Sequence, residues 1–231
     1  MAIFDRVLQQ SAPSYVRYAQ ETLRTAQGDL ALQFGEARLE ETAYPVYTNT
    51  FGPASYLGWS RISHAQRMLA GQRGERALDF GAGLGTMLPF LSQHYRLVDA
   101  VDLDPEPTKV MVERMNLANV AVRSDLPTQP ESFEVITALD VLEHVDDLAG
   151  IYERFVEVTA RNGIWVLSGP TENWLYKLSR KVARTTGEGH VRTIYDVFDA
   201  VPARMRQLQT VRLPFGCPVP LFLVGLFQRQ G

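Results

Sequence analysis

The chain is predicted to adopt an α/β fold: a mostly parallel sheet with helices on both faces, an antiparallel hairpin at its C-terminal end, and a helical cap in front. Three observations predict it. From Arg76 onward, short apolar runs alternate with helical patterns, the sequence form of repeated βα units. Before that point, apolar residues recur at three-to-four spacing and no strong strand run is present. After position 200, two strand-like runs flank Pro214-Phe215-Gly216-Cys217-Pro218.

In the cap, residues 1–72, Ile3, Val7 and Leu8 and then Tyr15, Tyr18, Ala19 and Leu23 carry the helical period, with Pro13, Gly28 and Gly35 as punctuation. A loop rich in Tyr, Thr, Asn, Gly and Pro is expected over 44–58, then a helix over 59–70. In the core, residues 73–231, strands are expected at 76–80, 97–102, 120–123, 133–139 and 163–168, followed by a hairpin of 205–213 and 221–228. Helices are expected at 106–117, 147–160 and 194–200, with Asp146 or Asp147 capping the second. No repeat or flexible linker interrupts the chain, so cap and sheet are expected to share a core as one domain.

Composition agrees with a single large domain: 231 residues, 45% hydrophobic and 21% charged, enough apolar side chain to bury a sizeable core. A formal charge of −3 supplies no global basic field, so no nucleic-acid partner is expected. One cysteine, Cys217, forms no intrachain disulfide, and the first residues lack a basic-then-apolar leader pattern; a cytoplasmic setting is expected. The most apolar stretch, 213–227, is broken by Pro214, Pro218 and Pro220 and falls short of a membrane span.

The sharpest local feature is Ala77-Leu78-Asp79-Phe80-Gly81-Ala82-Gly83-Leu84-Gly85, an apolar strand running into three alternating glycines and then a helix pattern from Met87. Glycine permits positive φ and close approach of main chain to a ligand, and a following helix N-terminus offers unpaired N–H groups. Asp102 stands 21 positions after Gly81 at the tip of the next strand, where an acidic side chain accepts hydrogen bonds from ribose hydroxyls. Asp104, followed by Pro105, is expected to cap the next helix. A dinucleotide fingerprint would need Gly or Ala three residues after Gly83, where this chain has Thr86, so an NAD-dependent oxidoreductase is disfavoured.

These residues resemble the class I S-adenosylmethionine-dependent methyltransferases. Leu78 to Gly85 has the form of the family's first motif, and Val101-Asp102-Leu103-Asp104-Pro105 looks like its second-strand acidic motif. Ser124-Asp125-Leu126-Pro127 looks like its adenine-contacting loop, and the run from Ser132 to Val145 is similar to its fourth strand and exit loop, with Glu134 in place of the common aspartate. The resemblance implies a Rossmann-like seven-stranded sheet and S-adenosylmethionine as cofactor. It implies that Asp79 and the main chain at Gly81, Ala82, Gly83 and Gly85 hold the methionine moiety, Asp102 the ribose, and Asp125 with Leu126 the adenine. Leu103 and Leu139 complete the cofactor-binding set.

His144, after the fourth strand, and His190, after the fifth, are the candidate general bases. Asp140, Glu143 and His144 stand at i, i+3 and i+4, resembling with His190 the ligand pattern of metal-assisted relatives among ubiquinone-pathway and small-RNA methyltransferases. Asp140 departs from the glutamate of that pattern, and no metal is expected. The insertion 170–192 carries Lys177, Arg180, Lys181 and Arg184 beside Trp174, Leu175, Leu178 and Val182, which reads as a lid over an anionic or lipid-linked acceptor or as an ordinary solvated helix. Tyr44, Tyr47, Phe51, Tyr56 and Trp59 are candidates for an aromatic roof over the ligands, or for core. The leading function is methyl transfer to a small-molecule acceptor, O-methylation favoured. A non-catalytic cofactor-binding scaffold and an RNA methyltransferase are the other readings.

Overall fold

The computed structural model describes residues 14–40, 42, 44–48, 52–176 and 192–231. Seven strands, β1 (Gly74–Phe80), β2 (Tyr95–Val101), β3 (Val120–Arg123), β4 (Phe133–Leu139), β5 (Thr159–Pro170), β6 (Met205–Leu213) and β7 (Phe222–Arg229), form one sheet in the order β3-β2-β1-β4-β5-β7-β6. The first five are parallel, and β7 lies antiparallel between β5 and β6. The predicted α/β architecture, hairpin included, is therefore the observed one.

The central strands read as nearly continuous apolar runs because both faces are covered. On one face, Ala77, Val98, Ala100, Val135, Val166 and Val224 pack with cap residues Val16, Leu23, Leu30, Trp59 and Ile62. On the other, Leu78, Val101, Ile136 and Leu167 pack with Trp165, which stacks on Tyr152 at 5.5 Å and meets Phe155 edge-on. Edge strand β6 is exposed through its middle and carries a register shift between Gln207 and Gln209, a kink that makes it a poor template for pairing with another chain.

The cap helices are α1 (Ser14–Phe34), α2 (Glu36–Glu40), α3 (Tyr44–Thr48) and α4 (Gly52–Met68). Buried Val16, Ala19, Leu23, Ala26 and Leu30 follow the helical period in α1. Gly28 lies inside α1, where its missing side chain would meet open space, so it does not punctuate the helix; Gly35, at φ +77°, does. The loop expected over 44–58 is mostly helix. Pro53 sits in the first turn of α4, where its missing N–H costs nothing.

The helices that alternate with the strands are α5 (Leu88–His94), α6 (Pro105–Arg114), α7 (Leu148–Val158) and α8 (Ile194–Asp199), and Leu142–His144 form a 3₁₀ turn. Asp147 caps α7, accepting from Gly150 N at 2.9 Å. β5 is longer than expected at both ends. Asn162, at φ +60°, and a register shift between Phe133 and Val135 let its first residues bend and still pair, which apolar patterning does not reveal. Glu134, the departure from the common aspartate, accepts from Arg76 N at 2.7 Å and Glu75 N at 3.3 Å, tying β4 to the start of β1.

Candidate active site

The glycine loop leaves β1 with Gly81, Gly83 and Gly85 at φ +70°, +52° and +66°, values that an L side chain adopts only at a cost. Its shape is fixed from below. Gly81 N and Ala82 N donate to Val101 O at 2.8 and 3.1 Å, and Thr108 Oγ1 donates to Gly83 O at 2.6 Å. It is also hemmed in. A Cβ at Gly81 would overlap the Val141 side chain just beyond β4, and one at Gly83 would lie 3.1 Å from the Thr42 carbonyl oxygen of the cap. The loop thus sits at the carboxyl ends of β1 and β4, the point where strand order reverses and open α/β sheets bind ligands, with cap residues as its roof.

Asp102, one residue past β2, turns its carboxylate into this loop: Oδ2 accepts from Gly83 N at 2.7 Å and Oδ1 from Asp104 N at 3.0 Å. Burial raises its pKa, and those two N–H donors offset part of the rise. Asp104 occupies the N-cap position of α6 without a side-chain capping bond. Its carboxylate is instead held by Arg38 of the cap, at 2.5 Å from Nε and 2.6 Å from Nη2, a two-pronged pair that keeps it below the usual carboxylate range. A partner 66 residues away outcompeted the local cap, which the Asp-Pro signal could not show.

Asp79 is buried at the end of β1 and accepts from Thr137 Oγ1 at 2.6 Å; burial pushes its pKa up to about 7. Leu103 is exposed, Ala82 and Leu126 are buried, and Leu139 is half-buried beside Ser168 of β5. Asp125 is exposed in the loop after β3, accepting from Ser124 Oγ at 3.1 Å. The described cofactor candidates therefore line the carboxyl edge of β1, β2, β3 and β4.

Beyond the glycine loop lies a buried polar cluster that the sequence reading only partly anticipated. Asp140, at φ +56°, accepts from Ser168 Oγ at 3.0 Å and forms an ion pair with Arg61 of α4. The Arg61 guanidinium is 3% exposed, lies 4.1 Å from the Phe222 ring centre and leaves its Nε without a partner. Tyr47, one of the aromatic-roof candidates, faces the charges of Arg61, Asp140 and Asp79; burial raises its pKa. Arg61 was missed. Its signal was a cation in Gly58-Trp59-Ser60-Arg61-Ile62-Ser63 with no acidic residue nearby on the helix to pair with it.

Glu143 is 1% exposed, and its Oε2 has no hydrogen-bond partner. Burial and the neighbouring Asp140 raise its pKa well above the usual range. His144, the next residue, is exposed, and His190 lies outside the described residues, as do Phe51, Lys177, Leu178, Arg180, Lys181, Val182 and Arg184. Among the described residues no three His, Cys, Asp or Glu side chains converge to hold a metal. The helical turn that would have aligned Asp140, Glu143 and His144 covers only Leu142–His144, leaving Asp140 turned to Arg61 and Ser168.

A glycine cradle at the strand-order reversal, with an acidic side chain on the adjoining strand, defines a nucleotide-binding α/β protein. The methyltransferase domain matches residues 60–211, two thirds of the chain, and the protein belongs to the class I S-adenosylmethionine-dependent methyltransferases. The chain is 33% identical over 115 residues to a ubiquinone biosynthesis O-methyltransferase of Azorhizobium caulinodans, covering 46% of this chain and 45% of that one. It is 28% identical over 125 residues to the protein of the same name from Psychrobacter arcticus, covering 50% and 49%. The chain thus spans about half the length of these relatives. In fold it resembles the N-methyltransferase NodS of Bradyrhizobium japonicum, solved with S-adenosyl-L-homocysteine, with a TM-score of 0.63 at 15% identity over 91% of this chain and 99% of that one. Among the described residues no helix is long and apolar enough to cross a membrane.

Proposed function

We propose that the chain transfers a methyl group from S-adenosylmethionine to a hydroxyl of a small molecule, with a hydroxylated ubiquinone precursor as the first acceptor to try. The observation that carries this reading is the glycine loop with Asp102 bonded to Gly83 N, set at the carboxyl ends of β1 and β4 in a chain of this family. The names of the relatives from Azorhizobium and Psychrobacter supply the hydroxyl and the ubiquinone-related acceptor.

The residues fit the donor. Three glycines leave room for main chain to approach the methionine end, and Asp79, buried at the end of β1, is the carboxylate we assign to its ammonium. Buried Arg61, with one N–H unpartnered, is the nearby cation for a carboxylate. Asp102 with Leu103 takes the ribose side and Asp125 with Leu126 the adenine, while Leu139, at the end of β4, flanks the glycine loop on its other side. The sulfonium supplies an already activated methyl, so the chain's own task is to align the acceptor, exclude water and accept a proton. Of the two histidines the sequence offers for that proton, His144 stands exposed, which argues against it, and His190 lies outside the described residues. We take the setting to be cytoplasmic, on the strength of a single unpaired cysteine, Cys217.

The test is incubation of the full chain with methyl-labelled S-adenosylmethionine and a hydroxylated quinone precursor, with the product analysed by mass. One added methyl on oxygen supports the reading. Transfer to nitrogen or carbon, or binding of the donor with no transfer across a panel of hydroxylated rings, overturns it.

A further inference from the structure

We propose that Arg38 is a positioning residue for the methyl donor: its pair with Asp104 latches α2 over the glycine loop, so that the donor enters and leaves when this pair opens. The inference rests on the methyltransferase reading above and adds to it the side chain that sets the rate of donor exchange.

The donor's cradle is covered. Gly83 and Gly85 are buried, Asp79 is 4% exposed and Thr86 8%, although the main chain here is what the methionine end has to touch. The cover is Thr42, itself buried, whose carbonyl oxygen lies 3.1 Å from where a Cβ of Gly83 would be. A molecule bonded to the main chain of the loop has to pass this point, so Thr42 must move before the donor can reach it.

Thr42 rides on α2. Its N–H and its Oγ1 both donate to the Leu39 carbonyl, at 3.0 and 2.7 Å. α2 is five residues long, too short to hold itself together by its own hydrogen bonds, and of its residues Leu39 alone is buried. It joins α1 through Gly35, at φ +77° with open space where a Cβ would stand. α1 is fixed separately on α6, by Tyr18 Oη donating to Met115 O at 3.0 Å and by Arg114 paired with Asp29 at 2.6 Å. The piece free to lift is therefore α2 with Thr42.

Arg38 holds that piece down. Nε and Nη2 bond the two Asp104 oxygens at 2.5 and 2.6 Å, and the Phe34 ring, 4.9 Å away, supports the guanidinium from α1. Asp104 gives this pair the carboxylate that its N-cap position would have used locally. Its own N–H donates to Asp102, and Asp102 accepts from Gly83 N, so the latch ties α2 to the acidic loop and through it to the glycine loop. The side chains are 43% and 28% exposed, so the pair faces solvent: its opening costs a factor of a few and is sensitive to salt.

The test is surface plasmon resonance of S-adenosylhomocysteine on the full chain. Arg38→Gln should raise the association and dissociation rates together, by about two- to fivefold, the worth of a solvent-facing pair. The Kd should stay within about twofold, because the latch closes over the cradle with and without ligand. Arg38→Gln/Asp104→Ala should match Arg38→Gln rather than add to it. In 1 M salt, where charges are screened within about 3 Å, the wild-type rates should rise toward those of Arg38→Gln, whose own rates change less. A merely structural Arg38 would leave the association rate and its salt dependence unchanged. Equal association rates in wild type and Arg38→Gln, or a rise in dissociation alone, overturn the latch. Failure of S-adenosylhomocysteine to bind the wild type overturns the methyltransferase reading instead.

Discussion

Asp79→Asn should make the free protein more stable at alkaline pH, and the size of the effect follows from where the side chain sits. Asp79 is 4% exposed, has a pKa of about 7 in the fold against 3.8 for an ordinary aspartate, and accepts a hydrogen bond from Thr137 Oγ1 that an asparagine oxygen could also accept. Below about pH 4 the side chain is protonated both folded and unfolded, and titration costs nothing. As pH rises, the unfolded chain ionises first, so stability relative to the variant falls and levels off above the folded pKa. Three pKa units correspond to about 4 kcal/mol in full, and the interval from pH 6 to pH 8 contains about 1.4 kcal/mol of it. For a chain of this length that is about 3–6 °C in melting temperature. Thermal melts of both proteins across this interval should therefore diverge, wild type falling relative to Asp79→Asn. Parallel melting curves at every pH would refute the buried, protonated aspartate.

Other perturbations report on other parts of the site. Asp102→Ala removes the carboxylate we propose for the ribose, together with its bond from Gly83 N, and should weaken S-adenosylhomocysteine binding by about 1.5–3 kcal/mol, measured by calorimetry. Gly83→Val forces a branched side chain to φ +52° and against the Thr42 carbonyl, so it should abolish that binding while circular dichroism still shows a folded chain. Arg61→Met leaves the half-buried Asp140 without its ion-pair partner, only Ser168 among the described side chains still donating to it, and should destabilise the chain by about 1–3 kcal/mol in urea melts, with much of the loss recovered by Arg61→Met/Asp140→Asn. His144→Ala, at an exposed position, should change turnover of a hydroxylated precursor by less than about threefold, far below the effect expected for a catalytic base.

What the sequence made legible was what local spacing controls. The apolar runs of β4 and β7 are buried along most of their length, and the alternating glycines after β1 demand one kind of turn, so sheet, hairpin and glycine loop could be read directly. Contacts between distant segments decided the rest. Asp104 pairs with Arg38 rather than capping α6, and Arg61 reaches Asp140 across 79 positions of chain. The metal-like spacing of Asp140, Glu143 and His144 assumed a continuous helical turn, whereas the positive φ at Asp140 turns that side chain toward Ser168 and Arg61. The same geometry buries Glu143 and exposes its neighbour His144, a distinction that residue type alone does not carry.

The central claim, that the crevice over Gly83 and Asp102 is built for an adenosyl sulfonium, is tested most directly by thermal shift with S-adenosylhomocysteine and, in parallel, NAD. At 100 times its dissociation constant S-adenosylhomocysteine should stabilise the native chain by about 2.7 kcal/mol, and NAD at the same concentration should leave the melting temperature unchanged. Stabilisation by NAD with none from S-adenosylhomocysteine would contradict the claim.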